Sequence, residues 1–256
     1  MSRVLSPGNY FELPDASVLS LPVQAGLSIT AWVKYDVTGD LSLRRGAYQY
    51  NDEGGATISR ISLTTAYNRE VRSSIYDKNG YPRNTPNSER GETVPEDVWF
   101  PFVVSVREED NYGGRLVHPY LQSPLTPTGG DTWIHSIATP EMRIGAEVAG
   151  WGLRGKMAHF TIYGRGLTDD EIDNILAGRH PLTIDGVAHY WPMTEGTGDI
   201  VDLINGVTVP MVGTVGEDVE DNPPVDTIVL PEANLAVTIT GLPPDTLLYG
   251  WLAQWV

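Results

Sequence analysis

Apolar and polar residues alternate along this chain with the two-residue period of β-strands far more than with the period of a helix. The clearest run, residues 27–34, puts Leu27, Ile29, Ala31 and Val33 on one face and Ser28, Thr30 and Trp32 on the other. Further strands are predicted at residues 10–13, 57–64, 70–76, 100–107, 115–121, 143–146, 157–163 and 187–191. Turn-forming pairs separate them: Gly54-Gly55, Asn79-Gly80, Gly113-Gly114 and Gly129-Gly130 supply the positive φ that tight connections need. One segment breaks the alternation. Thr168 stands three residues before Glu171, a capping box, and Ile172, Ile175 and Leu176 follow at helical spacing until Gly178 ends the pattern. One short helix among so many strands predicts an all-β, two-sheet antiparallel jelly-roll sandwich rather than an α/β design.

Composition sharpens this picture. The 256 residues include 27 glycines and 19 prolines, more turn formers than a helical bundle tolerates, and no cysteine, so neither a disulfide frame nor a thiolate metal site is available. A net charge of −16 disfavours a nucleic-acid partner, because phosphate backbones are bound by Lys and Arg. No stretch approaches the roughly 18 uninterrupted apolar residues of a membrane span, so no membrane partner is expected. The first ten residues lack the apolar core of an export signal, and synthesis in a cytoplasm is expected. Arg179 is the last cation; the eleven carboxylates after it must be solvated, pair with the body of the chain, or face a cationic partner.

Four stretches then resemble a known family: Tyr10-Phe11-Glu12-Leu13-Pro14 followed by LSITAWVK from Leu27; WFPFVVSVR from Trp99; Arg143-Ile144-Gly145 with LRGKMAHFTIYGRGLTDDEI from Leu153; and YWPMTEGTGDIVDLING from Tyr190. Together they resemble the laminin-G-like domains of the concanavalin A-like lectin and glucanase jelly rolls, in their bacterial and bacteriophage form. The resemblance makes residues 1–215 the expected jelly-roll domain and implies that Trp32, Trp99 and Trp191 lie buried between two sheets. It implies fold more than function, because one fold hosts many tasks.

Residues 216–256 fall outside that pattern. Residues 217–224 read as an acidic, proline-stiffened linker, 235–240 as a strand, and the end of the chain as strongly apolar. Leu247, Leu248, Tyr249, Trp251, Leu252 and Trp255 would invite aggregation if left in water, so they are the predicted partner-binding residues of an arm. The arm docks on its own jelly roll or, in the sharper reading, on another subunit.

Catalytic motifs mostly fail. The related glucanases carry a strand of Glu-x-Asp-x-x-Glu; the nearest string here, residues 171–176, has Leu176 in place of the second Glu and is predicted as helix. Residues 150–157 nearly spell a phosphate-binding loop, but Met157 replaces the Ser or Thr that holds magnesium and a strand follows. His118, His135, His159, His180 and His189 show no metal-ligand spacing, and no Gly-x-Ser-x-Gly elbow is present. No catalytic or cofactor-binding residue is assigned. The resemblance implies calcium at a loop rim, for which Glu108-Glu109-Asp110-Asn111 and Asn51-Asp52-Glu53 have the composition without a defined spacing. Tyr48, Tyr50, Tyr67, Tyr81, Tyr112, Trp133 and Trp151, in or near predicted loops, are candidates for stacking on sugars.

These readings give a non-enzymatic virion-surface protein, a capsid decoration or tail-associated component resembling those of bacteriophages. It is expected as a homo-oligomer whose partner is a capsid or tail protein. The alternative is a lectin-like carbohydrate-binding module that takes a cell-surface glycan, with a glycoside hydrolase third.

Overall fold

The computed structural model describes residues 2–6, 8–19, 26–36, 45–52, 60–65, 71–76, 95–107, 114–117, 119, 140–148, 151–195, 198–213, 218–219 and 221–227. In chain order the strands are β1 (Ser2–Leu5), β2 (Tyr10–Leu13), β3 (Leu27–Tyr35), β4 (Arg45–Asp52), β5 (Arg60–Thr65), β6 (Val71–Tyr76), β7 (Trp99–Val106) and β8 (Gly114–Val117). They continue with β9 (Pro140–Ile144), β10 (Ala146–Val148), β11 (Trp151–Gly152), β12 (Gly155–Tyr163), β13 (Val187–Trp191), β14 (Ile200–Val201), β15 (Thr208–Val209), β16 (Met211–Val212) and β17 (Asp218–Val219). Among the described residues there is one α-helix, α1 (Asp169–Leu176), as the capping box predicts: the Thr168 side chain accepts from the Glu171 N–H, and the Glu171 carboxylate accepts from the Thr168 N–H.

Seven of these strands make one sheet, in the order β17-β1-β12-β3-β7-β8, with β13 continuing the β1 edge of β12. Eight make the other, in the order β10-β11-β4-β9-β2-β16, with β5 and β6 extending outward from β4. Nearly all pairings are antiparallel, and the two sheets form the expected jelly-roll sandwich. Its core comes from alternation: Ile29, Ala31 and Val33 of β3, Phe100, Phe102 and Val104 of β7, and Met157, Phe160 and Ile162 of β12 meet Phe11 and Leu13 of β2 and Met142 and Ile144 of β9. The opposite face of β3, β7 and β12 carries Val103 and Tyr163, on which Leu167, Ile172, Ile175 and Ile184 seat α1. The Leu167 N–H, donating to Ser28 Oγ and Ser105 Oγ at 3.0 Å each, pins the helix's leading loop to that face.

Three expectations are corrected here. Trp191 lies wholly buried between the sheets, but Trp32 and Trp99 do not. Both sit on the outer face, in register with Pro101 and Lys34 respectively, because they alternate with Val33 and Phe100, which point inward. Residues 45–52, read as loop, form β4, paired with β5 on one side and β9 on the other. The stretch expected as a linker, 217–224, is docked where it is described: Asp218 and Val219 pair with Arg3 and Ser2, and the compact unit runs Met1–Asp226.

Candidate functional site

A cleft of about 360 Å³ opens at the end of the first sheet, where β1, β3 and β12 stop and the turn before β7 rises beside them. Six polar side chains border it: Ser6, Lys34, Asp36, Asp97, Arg154 and Lys156. Local backbone chemistry builds this rim. Gly155 has φ +144°, and a side chain there would collide with the Lys34 carbonyl, so only glycine lets β12 start so close to β3. The Asp36 N–H donates to the Arg154 carbonyl at 3.1 Å, which ties the two strand ends together. Asp97 adopts φ +57°, a left-handed conformation that Asp tolerates better than most residues, and its N–H donates to the Tyr35 carbonyl at 2.8 Å. Asp97 is thereby placed 2.9 Å from Lys34 Nζ. The cleft thus presents ammonium and guanidinium donors, carboxylate acceptors and a hydroxyl to one space.

Beside it, on the outer face, Lys156, Lys34 and Trp99 stand in one row of the register across β12, β3 and β7. All three grip one carboxylate. Lys34 Nζ lies 2.9 Å from Asp221 Oδ2, Lys156 Nζ donates to the same oxygen, and the Trp99 indole N–H donates to Oδ1 at 2.8 Å. Burial alone would raise the Asp221 carboxyl, but the bonds from Lys156, Lys34 and Trp99 hold it well below the usual carboxylate range. The bond to Asp221 correspondingly raises Lys34, against its partial desolvation.

A third polar group lies farther along the same face. The Tyr190 hydroxyl sits 2.7 Å from His159 Nδ1 and 3.2 Å from His180 Nε2. Burial, then the charge of His180, lowers His159 to about 4; burial also lowers His180, and it raises the Tyr190 hydroxyl. On the inner side, His189 bonds the buried Asp202 at 2.8 Å, and Asp202 also accepts from the N–H groups of Tyr190, Ile204 and Asn205. That carboxylate organises a turn, and the partners of the pair among the described residues include no nucleophile.

Of the residues singled out in the sequence, the structure brings few together. Tyr48 and Tyr50 fall in β4, in register with Ile144 and Met142, and Trp151 falls in β11. Tyr67, Tyr81, Tyr112, Trp133, residues 108–111 and the arm residues Leu247, Leu248, Tyr249, Trp251, Leu252 and Trp255 lie outside the described residues. Asn51 and Asp52 close β4, and among the described residues no group of three His, Asp or Glu could hold a metal ion. The string resembling a glucanase motif lies on α1, where Glu171 binds Arg165 through two bonds of 2.8 and 2.6 Å, a structural clasp. The cleft residues Lys34, Asp36, Asp97, Arg154 and Lys156 carried no sequence signal: they lie on three separate segments that meet only through strand pairing.

Comparison with known proteins gives a consistent outline. A laminin-G family model, described as concanavalin A-like lectin/glucanases superfamily, matches residues 5–173. No curated protein matches the chain. Among solved structures, a candidate carbohydrate-binding protein of Bacteroides ovatus is similar at a TM-score of 0.56 and 12% identity, over 84% of this chain and 59% of that one. The chain therefore spans less than two thirds of that relative's length. The CBM40 module of the Ruminococcus gnavus IT-sialidase, bound to α2,3-sialyllactose, is similar at 0.51 and 15% identity, over 68% of this chain and 95% of the module. A heptameric pentraxin of Limulus polyphemus is similar at 0.51 and 12% identity, over 84% and 93%.

Proposed function

The chain belongs to the concanavalin A-like lectin/glucanases superfamily, and on that premise we propose that it is a non-catalytic carbohydrate-binding module. The observation that carries this reading is the cleft of about 360 Å³ bordered by Ser6, Lys34, Asp36, Asp97, Arg154 and Lys156. A sugar hydroxyl both donates and accepts, so a concave surface offering fixed donors and fixed acceptors suits it, and the volume admits one or two sugar rings. Strand ends hold these groups in place before any ligand arrives, which limits the entropy lost on binding. Two relatives of the same fold, the Bacteroides protein and the sialidase module, carry carbohydrate binding in their descriptions and support the reading. The acidic string on α1 serves as a helix cap and clasp, which fits a binding role rather than glycoside hydrolysis.

A glycan array probed with the purified chain tests this. Binding to a defined set of glycans is expected, and Arg154→Ala should weaken it at least tenfold with unchanged circular dichroism. Silence across the array, or equal binding by the variant, would remove the cleft as the site. The virion-surface and homo-oligomer readings rest on the sequence resemblance, and the carbohydrate-binding reading takes precedence because the cleft supports it.

A further inference from the structure

Lys34, Lys156 and Trp99 form a carboxylate-binding site, and we propose that Asp221 fills it as the chain's own stand-in for the carboxylate of an acidic sugar, which binds by displacing residues 221–226. This inference rests on the carbohydrate-binding reading and names its ligand class. The first support is the convergence itself. Two ammonium groups and an indole N–H from three neighbouring strands meet on a single carboxylate, and the two lysines occupy directly paired register positions. Like charges so placed repel, so the row requires an anion between them. Asp97 balances Lys34, while the ion pair of Lys156 is made to Asp221.

The second support is independent of charge. Trp32 lies on the same face as Lys34, two residues back along β3, and is only 4% exposed. Its indole N–H is buried and has no hydrogen-bond partner among the described residues. Residues 221–226 offer this donor nothing, although they run from the lysine row to the C-terminal end of α1, where the Asp226 N–H donates to the Gly178 carbonyl at 2.8 Å. A hydroxylated ligand on this face would satisfy it. Two indoles for the apolar faces of sugar rings, beside two ammonium groups for a carboxylate, are the chemistry of an acidic-sugar site.

The third support is how lightly the cover is held. Among the described residues its polar anchors include a two-residue ladder between β17 and β1, the grip on Asp221, the bond to Gly178 and an exposed ion pair between Asp226 and Arg179. A segment held mainly by exposed polar anchors at the edge of a domain can open without unfolding it.

Calorimetric titration of the full chain with tri-galacturonate, and with its methyl ester, tests the proposal. Asp221→Asn should bind the acid at least tenfold tighter than the natural chain, the ester should show no such gain, and adding Lys156→Ala should abolish it. In the natural chain, the acid should speed amide hydrogen exchange at residues 221–226, a measurement that stands even where Asp221→Asn fails to fold. Equal affinity of the folded variant and the natural chain for the acid, or exchange at 221–226 unmoved by saturating acid, would overturn the proposal. If array glycans bind the cleft while the acid binds neither form, the carboxylate site is wrong and the carbohydrate-binding reading survives. If no glycan binds either form, both are wrong.

Discussion

His159 has φ +51°, a conformation that residues with side chains rarely adopt, and it is the extra residue of a bulge: between Ala158 and Thr161 β12 advances three positions while β3 advances two. The bulge turns the imidazole onto the outer face, and hydrogen bonding then fixes its tautomer. The Leu182 N–H donates to His180 Nδ1, so His180 carries its proton on Nε2 and donates to the Tyr190 oxygen, whose hydroxyl donates to His159 Nδ1. Burial, and then the charge of His180 beside it, lowers His159 from 6.5 to about 4. Among the described residues, the carboxylates that bear on this cluster are Asp226, on His180, and Glu195, on Tyr190. The unfolded chain takes up the proton near pH 6.5 and the folded chain only near 4, so stability is complete above 6.5 and declines as the pH falls between those values. At about 1.4 kcal/mol per tenfold change in affinity, the loss approaches about 3 kcal/mol. Urea unfolding at a series of pH values should show this decline. His159→Asn, which tolerates positive φ, should flatten it and cost about 1 kcal/mol at pH 7 for the lost Tyr190 bond; an unchanged slope would show that His159 does not set it.

At the scale of elements, the loop before α1 and the segment 221–226 behave in opposite ways toward sequence reading. The family-like string of Arg165, Leu167, Thr168, Glu171 and Ile172 is legible because its pattern is local: Thr168 caps Glu171, Arg165 clasps it, and Ile172 and Ile175 share the helix face that packs, with Leu167, on Val103 and Tyr163. Segment 221–226 is not legible, because Asp221 finds Lys34 at a separation of 187 residues and Lys156 at 65. An acidic, proline-rich composition looks like linker to any local rule. The segment's far end depends on Gly178, at φ +92°, where a Cβ would come within 2.5 Å of the Pro224 carbonyl. Gly178→Ala should therefore cost about 1–2 kcal/mol through backbone strain alone and push residues 224–226 off the helix end. Limited proteolysis should then cut near 221–227 faster than in the natural chain while α1 keeps its protection; an unchanged cleavage rate would mean that the segment is held from elsewhere.

At the scale of the whole molecule, the compact unit ends at Asp226, beyond β17 and two residues past the stretch that reads as linker. Two truncations separate its contribution. Removal of residues 227–256 should leave the melting temperature within a few degrees of the full chain. Removal of 217–256 should also strip Asp221 from Lys34, Lys156 and Trp99, lowering stability by about 2–4 kcal/mol. Equal melting of the two truncated forms would show that the segment adds nothing to the domain. Light scattering of the shorter removal also tests the proposed arm, since a loss of assembly without unfolding is what an arm carrying Trp251 and Trp255 predicts.

The sequence by itself determined what depends on neighbours in the chain. Alternation in residues 27–34 placed Leu27, Ile29, Ala31 and Val33 apart from Ser28, Thr30 and Trp32, and the structure keeps that division. The period says that two faces exist; it does not say what covers each. Only tertiary packing decided that Trp32 and Trp99 look outward, under α1's side of the sheet rather than between the sheets, and that β4 is a strand, since its pairing with β9 joins residues almost a hundred positions apart. The cleft is the extreme case. Asp36, Asp97 and Arg154 acquire a common purpose only when β3, β7 and β12 lie side by side, because strand pairing converts distance along the chain into contact, and no local pattern records which strands will pair.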